Sequence, residues 1–92
     1  MERVQRNTKI AGIDVGKAWL DAAIHGQDEP RRFSNDKAGI EALIAWLEEM
    51  AVKRVGLEAT GGYERAARLG LEAAGLNVVV HQPLEVRLFA RL

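Results

Sequence analysis

The feature that most constrains this chain is a pair of β-prone runs with almost nothing between them. Residues 8–15 (TKIAGIDV) and 19–25 (WLDAAIH) flank a break read at Gly16-Lys17. Runs joined so tightly must fold back as an antiparallel hairpin, because parallel strands need a crossover of a dozen residues or more. Gly26-Gln27-Asp28 is the next turn, and residues 30–34 (PRRFS) supply a third strand. Pro30 and the arginine pair put that strand at a sheet edge, since proline cannot donate to a ladder and charge blunts an edge.

Asn35 or Asp36 then offers a helix cap. Ile40, Leu43, Ile44 and Leu47 recur at i, i+3, i+4 and i+7, the apolar stripe of a helix that ends near Met50. Residues 53–58 (KRVGLE) read as a fourth strand, broken by Ala59-Thr60-Gly61-Gly62. A second helix covers residues 63–74, with Gly75 as its stop. Residues 76–80 (LNVVV) form a fifth strand, and Pro83 opens a final helix with Val86, Phe89 and Leu92 facing inward. Right-handed crossovers make strands one, four and five parallel neighbours, and strands two and three extend the sheet as a meander. The predicted class is α/β, a mixed sheet of order 3-2-1-4-5, which is the ribonuclease H-like (RuvC-like) arrangement. The predicted domain covers residues 8–92 after a flexible stretch at residues 1–7. It stops inside a helix, so it reads as a partial domain, truncated at the C-terminus and cut from a longer protein. Its uncovered apolar end is expected to associate with a second copy as a homo-oligomer.

Asp14 closes the run Ile10-Ala11-Gly12-Ile13-Asp14, and Glu58 closes Val55-Gly56-Leu57-Glu58. A carboxylate at the end of a buried strand is costly unless a cation or donor satisfies it. On parallel neighbours about 5 Å apart, the two carboxylates share the crevice at the C-terminal strand ends, where open α/β sheets bind ligands. Close carboxylates recruit a hard divalent cation, Mg²⁺ or Mn²⁺, and a pair of such ions can clamp a phosphodiester displacement. The competing reading is that Asp14 caps the hairpin and Glu58 the following helix.

Composition narrows the choice. Lys plus Arg and Asp plus Glu are both 13, so no global basic field points to nucleic acid and any DNA-binding role rests on local features. With no cysteine, disulfides and thiolate metal sites are excluded. No apolar run reaches the ~20 residues that span a bilayer, and the N-terminus lacks a signal-peptide core, so the cytoplasm is the expected location with no membrane partner. Gly12 to Lys17 falls one residue short of a P-loop, and Ala18 stands where that motif needs a hydroxyl.

The two carboxylate motifs, Gly12-Ile13-Asp14-Val15-Gly16-Lys17 and Leu57-Glu58-Ala59-Thr60-Gly61-Gly62-Tyr63, together resemble those of the DEDD-type insertion-sequence transposases. Phe33-Ser34-Asn35-Asp36-Lys37-Ala38-Gly39 and the stretch from Val79 to Val86 extend the resemblance, with Gln82-Pro83 where the family commonly has Asn-Pro. The resemblance implies DNA transposition and recombination by metal-dependent phosphodiester cleavage and strand transfer. It implies that Asp14 and Glu58 are the first Asp and the Glu of a four-acid set, with the last two acids beyond residue 92, so that this chain alone is inactive. It further implies DNA as partner and a structured guide RNA. Ser34, the sole serine, does not match the family's strand-exchange serine.

Lys17, Thr60 and Tyr63 match family positions and are candidates for substrate contact. Their plain readings are a solvated turn lysine, a helix cap and first-turn packing. His81 ends the fifth strand near Glu58 but reads first as a structural histidine, and His25 as solvent-facing. Arg31 and Arg32 suit either phosphates or an edge strand. Two other functions compete: the phosphate-binding lobe of a sugar-kinase or actin-like ATPase, which also opens on Gly-Ile-Asp-x-Gly, and a non-catalytic interaction module.

Overall fold

The computed structural model describes residues 9–27, 29–59 and 61–81. The final helix expected from Pro83 lies outside them. The elements run β1 (Ile10–Val15), β2 (Trp19–Ile24), β3 (Arg31–Ser34), α1 (Lys37–Glu49), β4 (Arg54–Ala59), α2 (Arg65–Ala73) and β5 (Asn77–His81). The sheet order is β3-β2-β1-β4-β5. β1 pairs antiparallel with β2 and parallel with β4, β2 antiparallel with β3, and β4 parallel with β5. The chain therefore has the α/β class and the strand order that its sequence predicts.

Strict alternation governs β1 and β4, both with the pattern exposed–buried or half-buried–buried along the strand. Ala11, Ile13 and Val15 of β1, Leu20, Ala22 and Ile24 of β2, and Val55, Leu57 and Ala59 of β4 are buried on one face. Ile40, Leu43, Trp46 and Leu47 of α1 and Ala67 and Leu71 of α2 join the same cluster. The helical stripe differs from expectation by one position. Trp46 takes the buried place, and Ile44 is half-buried at the flank. Among the described residues the core contains no polar or charged side chain. No helix among them is long and apolar enough to cross a membrane.

The turn chemistry explains the element ends. Asp36, in extended backbone, accepts a hydrogen bond from the Gly39 amide at 2.8 Å and so caps α1. At the other end Ala51 adopts φ 60°, and Val52 N donates to Leu47 O at 2.9 Å. A non-glycine residue in that left-handed region is strained. Gly75, at φ +91°, ends α2 without that strain. Gly39 has a different reason to be glycine: a Cβ there would collide with the Ser34 backbone oxygen. Gly70 lets the helices approach, since its Cβ would lie 2.9 Å from Ile40 Cγ2.

These positions predict opposite outcomes for two exchanges at the two ends of α1. Ala51→Gly should stabilise the fold by roughly 1 kcal/mol, by relieving the left-handed strain. Gly39→Ala should destabilise it, although alanine is the better helix former by about 1 kcal/mol, because the β3–α1 turn must open. Urea unfolding of both variants reads the two signs directly; a stabilised Gly39→Ala protein would show that the turn is not held as described.

Candidate functional site

The face of the sheet turned away from α1 and α2 carries the alternate residues of each strand. Register fixes which of them share a level. Asp14 stands opposite Glu58 across the parallel β1–β4 ladder and opposite Asp21 across the β1–β2 hairpin. Glu58 is in turn opposite His81, and Asp21 opposite Arg32. One transverse row, Arg32–Asp21–Asp14–Glu58–His81, thus crosses all five strands. The next level down is almost free of side chain, with Ala23, Gly12 and Gly56 in register. A Cβ added at either glycine would meet nothing within 4 Å. The outcome is an open depression of about 470 Å³ bordered by Asp14, Asp21, Glu58 and His81 and floored by Gly12 and Gly56.

Asp14 and Glu58 are both exposed. The sequence reading set them at the ends of buried strands, and the structure corrects the burial. The apolar runs around them are buried on one face only, and the carboxylates sit on the other. Neither makes a hydrogen bond or ion pair among the described residues. Capping does not account for Glu58, because α2 begins at Arg65 with Glu64 at its N-cap position. Nor does a hairpin cap account for Asp14: the turn closes through Gly16 N donating to Trp19 O at 2.9 Å.

That hydrogen bond moves the reversal to Lys17-Ala18, one residue beyond the expected Gly16-Lys17. The shift decides the third carboxylate. A reversal centred on Gly16-Lys17 would set Asp14 against Trp19; the observed reversal, centred one residue later, moves the partner by two residues to Asp21, on the same face of β2. Asp21 is thus a member of the row that sequence reasoning missed. It differs from its neighbours in being paired: Arg32 Nε donates to Asp21 Oδ1 at 2.8 Å, and Arg32 Nη2 to Oδ2 at 3.2 Å. The hydrogen bond first, and then the charge of the guanidinium, holds the Asp21 carboxyl below its usual value. Of three adjacent carboxylates one is neutralised, and Asp14 and Glu58 are left as like charges side by side, an arrangement that costs a sheet stability.

The remaining candidates separate clearly. His81 comes into the row beside Glu58, closer to the carboxylates than its plain reading suggested. Lys17 is exposed in the hairpin turn, and His25 is exposed at the opposite end of β2. Tyr63 is 46% exposed and lies against Gly61, where an added Cβ would meet its ring at 2.7 Å. Thr60 lies outside the described residues. Arg31 faces the helices, with its guanidinium 5.5 Å from the Trp46 ring centroid, so it is not part of the site. Asn35 was passed over except as a cap. Its Nδ2 donates to Gly16 O at 2.9 Å and to Tyr63 O at 3.1 Å, tying the hairpin turn to the loop after β4. Both loops flank the carboxylate end of the sheet.

Fold and row together define a mixed α/β domain of ribonuclease H-like order with carboxylates aligned on its open face. A family model described as Transposase, that of the IS110-type DEDD transposases, matches residues 11–92, and the chain belongs to this family. No curated protein matches it.

The Asp21–Arg32 pair carries a pH signature. A depressed folded pKa makes its contribution to stability fully present above the ordinary value of 3.8 and lost as the pH falls below it. Both partners are solvent-exposed, so the effect should be small and salt-sensitive. Melting temperatures across that acid range should fall less steeply for Asp21→Asn than for the parent chain, and identical slopes would mean the pair does not persist in solution.

Proposed function

We propose that this chain forms part of the catalytic domain of a DNA transposase, in which Asp14 and Glu58 are two carboxylates of a divalent-metal site. The observation that carries the reading is their direct register across two parallel strands on an open face, without counter-charge among the described residues. Hard oxygen donors so placed fit Mg²⁺ or Mn²⁺, which prefer carboxylate and water ligands. Among the described residues no group of three or more Asp, Glu, His or Cys side chains could by itself hold an ion. On this reading Asp14 and Glu58 fit such an ion in part, as two acids of the four-acid set that the family resemblance implies. Such an ion, when bound, supplies Lewis acidity at a phosphodiester and charge stabilisation at the attacking and leaving oxygens.

The protein's own groups have separate work. Asp14 and Glu58 orient the ion and lose their mutual repulsion to it. The glycine floor lets a sugar–phosphate backbone approach the sheet closely. Lys17 and Tyr63, on the two loops that Asn35 ties together, stand ready to contact substrate, with Thr60 in the same motif. Cleavage and strand transfer of DNA follow from that chemistry in the complete enzyme. A guide RNA enters through the family resemblance alone, and a homo-oligomeric state through the apolar end read from the sequence, which lies outside the described residues.

Thermal melting with and without Mg²⁺ or Mn²⁺ tests the site in this chain. The ions should raise the melting temperature slightly by binding the folded state. Asp14→Asn and Glu58→Gln should abolish that shift while leaving the ion-free protein as stable or slightly more so. The full-length transposase carrying Asp14→Asn should fold yet lose strand cleavage by about a hundredfold or more, as when a transition-state charge contact is removed. Cleavage at the parental rate would refute the role of Asp14.

A further inference from the structure

Trp19 lies outside the hydrophobic core and is 48% exposed. It projects from β2 on the same face as Asp21, two residues on, whereas Leu20, Ala22 and Ile24 of that strand supply the buried contacts. The other tryptophan shows what packing looks like in this fold: Trp46 is buried, 5.7 Å from the Phe33 ring, with Arg31 over it. Arg32 repeats that stack on the open face, its guanidinium 5.2 Å from the Trp19 ring centroid. One arginine therefore meets both Trp19 and Asp21. The bidentate grip of Asp21 keeps the guanidinium across the ring rather than one strand further in, beside the uncompensated Asp14. Exposed Lys17 stands two residues before Trp19, in the hairpin turn.

An exposed aromatic with a guanidinium against its ring and a lysine two residues away in the turn complements a nucleotide: a π-face for a base and cationic groups for its phosphate. Duplex DNA hides its base faces within the stack, so such a surface selects an unpaired nucleotide. We propose that Trp19, with Arg32 held across it by Asp21, is a stacking platform for one unpaired nucleotide of a DNA strand at the edge of the carboxylate row. Asp21 acts here as a positioning residue through Arg32. The proposal rests on the reading that the row acts on nucleic acid, but it does not require the metal.

Binding of a fluorescently labelled single-stranded oligodeoxythymidine to this chain, at low salt with a chelator present, tests it by anisotropy. Trp19→Ala should weaken binding about tenfold, and Trp19→Phe should keep it within about threefold. Arg32→Gln should reduce the slope of log affinity against log salt by about one. Duplex of the same length should bind the parent chain more weakly than the single strand. Circular dichroism matched to the parent confirms that each variant is folded. Equal single-strand binding by Trp19→Ala, or no single-strand binding by the parent chain, overturns the platform. So does a Trp19→Ala effect confined to oligomeric mass, which would make a second copy the occupant. The Mg²⁺-dependent melting shift separates the two ideas. If Asp14 controls that shift while Trp19→Ala binds DNA like the parent, the platform fails and the metal site stands.

Discussion

Everything on the open face depends on β1 being paired on both edges. Its hydrogen bonds reach β2 in one direction and β4 in the other, so its register is set twice. Once Ile13 is committed to the core, Asp14 has no choice of face. The same commitment at Leu57 and Leu20 aligns Glu58 and sends Trp19 and Asp21 to the open side. The row is thus a by-product of burial. The hydrophobic effect aligns the apolar residues beneath the helices, and the pleat carries the ionisable ones into line above them.

The hydrophobic core does not compensate that row. Three carboxylates at one level across three adjacent strands repel, and a sheet selected only for stability would space them or alternate their sign. Arg32 offsets one of the three from the edge strand, at little cost because β3 has a free side. Asp14 and Glu58, on β1 and β4, make no ion pair among the described residues. Stability is lost at the same place where a cation has most to gain, which is the usual relation between strain and sites of chemistry.

The sequence made the class and strand order legible because each element had a strong local signal and the crossover rule left few ways to join them. The adjacency of Asp14 and Glu58 followed from that order. Three things were not legible. The hairpin reversal fell one residue late, at Lys17-Ala18, and moving the centre of a hairpin by one residue moves every partner by two, which sets Asp21 rather than Trp19 opposite Asp14. The apolar context of Ile13 and Leu57 suggested buried strands, but glycines at 12 and 56 contribute apolar character to a count without covering anything. The double bond of Asn35 to Gly16 O and Tyr63 O joins loops far apart in sequence, and no local pattern announces such a contact. Each failure concerns side-chain placement within a correctly ordered sheet.

A net charge of zero looks at first like an argument against a nucleic-acid enzyme. Local arrangement removes the objection. The negative charges that matter are Asp14 and Glu58, the pair that an ion would neutralise. The positive charges that matter are Arg32 and Lys17, at the rim beside an exposed indole. Phosphate repulsion by the bare carboxylates and attraction by the rim act within a Debye length of about 10 Å, so balance over the whole surface tells little about the field a strand would meet there. On such a face a divalent ion, if held by Asp14 and Glu58 as proposed, would turn a repulsive centre into an attractive one, so strand engagement and metal loading would reinforce each other. Base stacking at Trp19 carries no charge and is nearly indifferent to salt. It would hold the strand in place before the ion arrives, which is why the aromatic position and the acidic pair are separable by experiment although they lie on one face of one sheet.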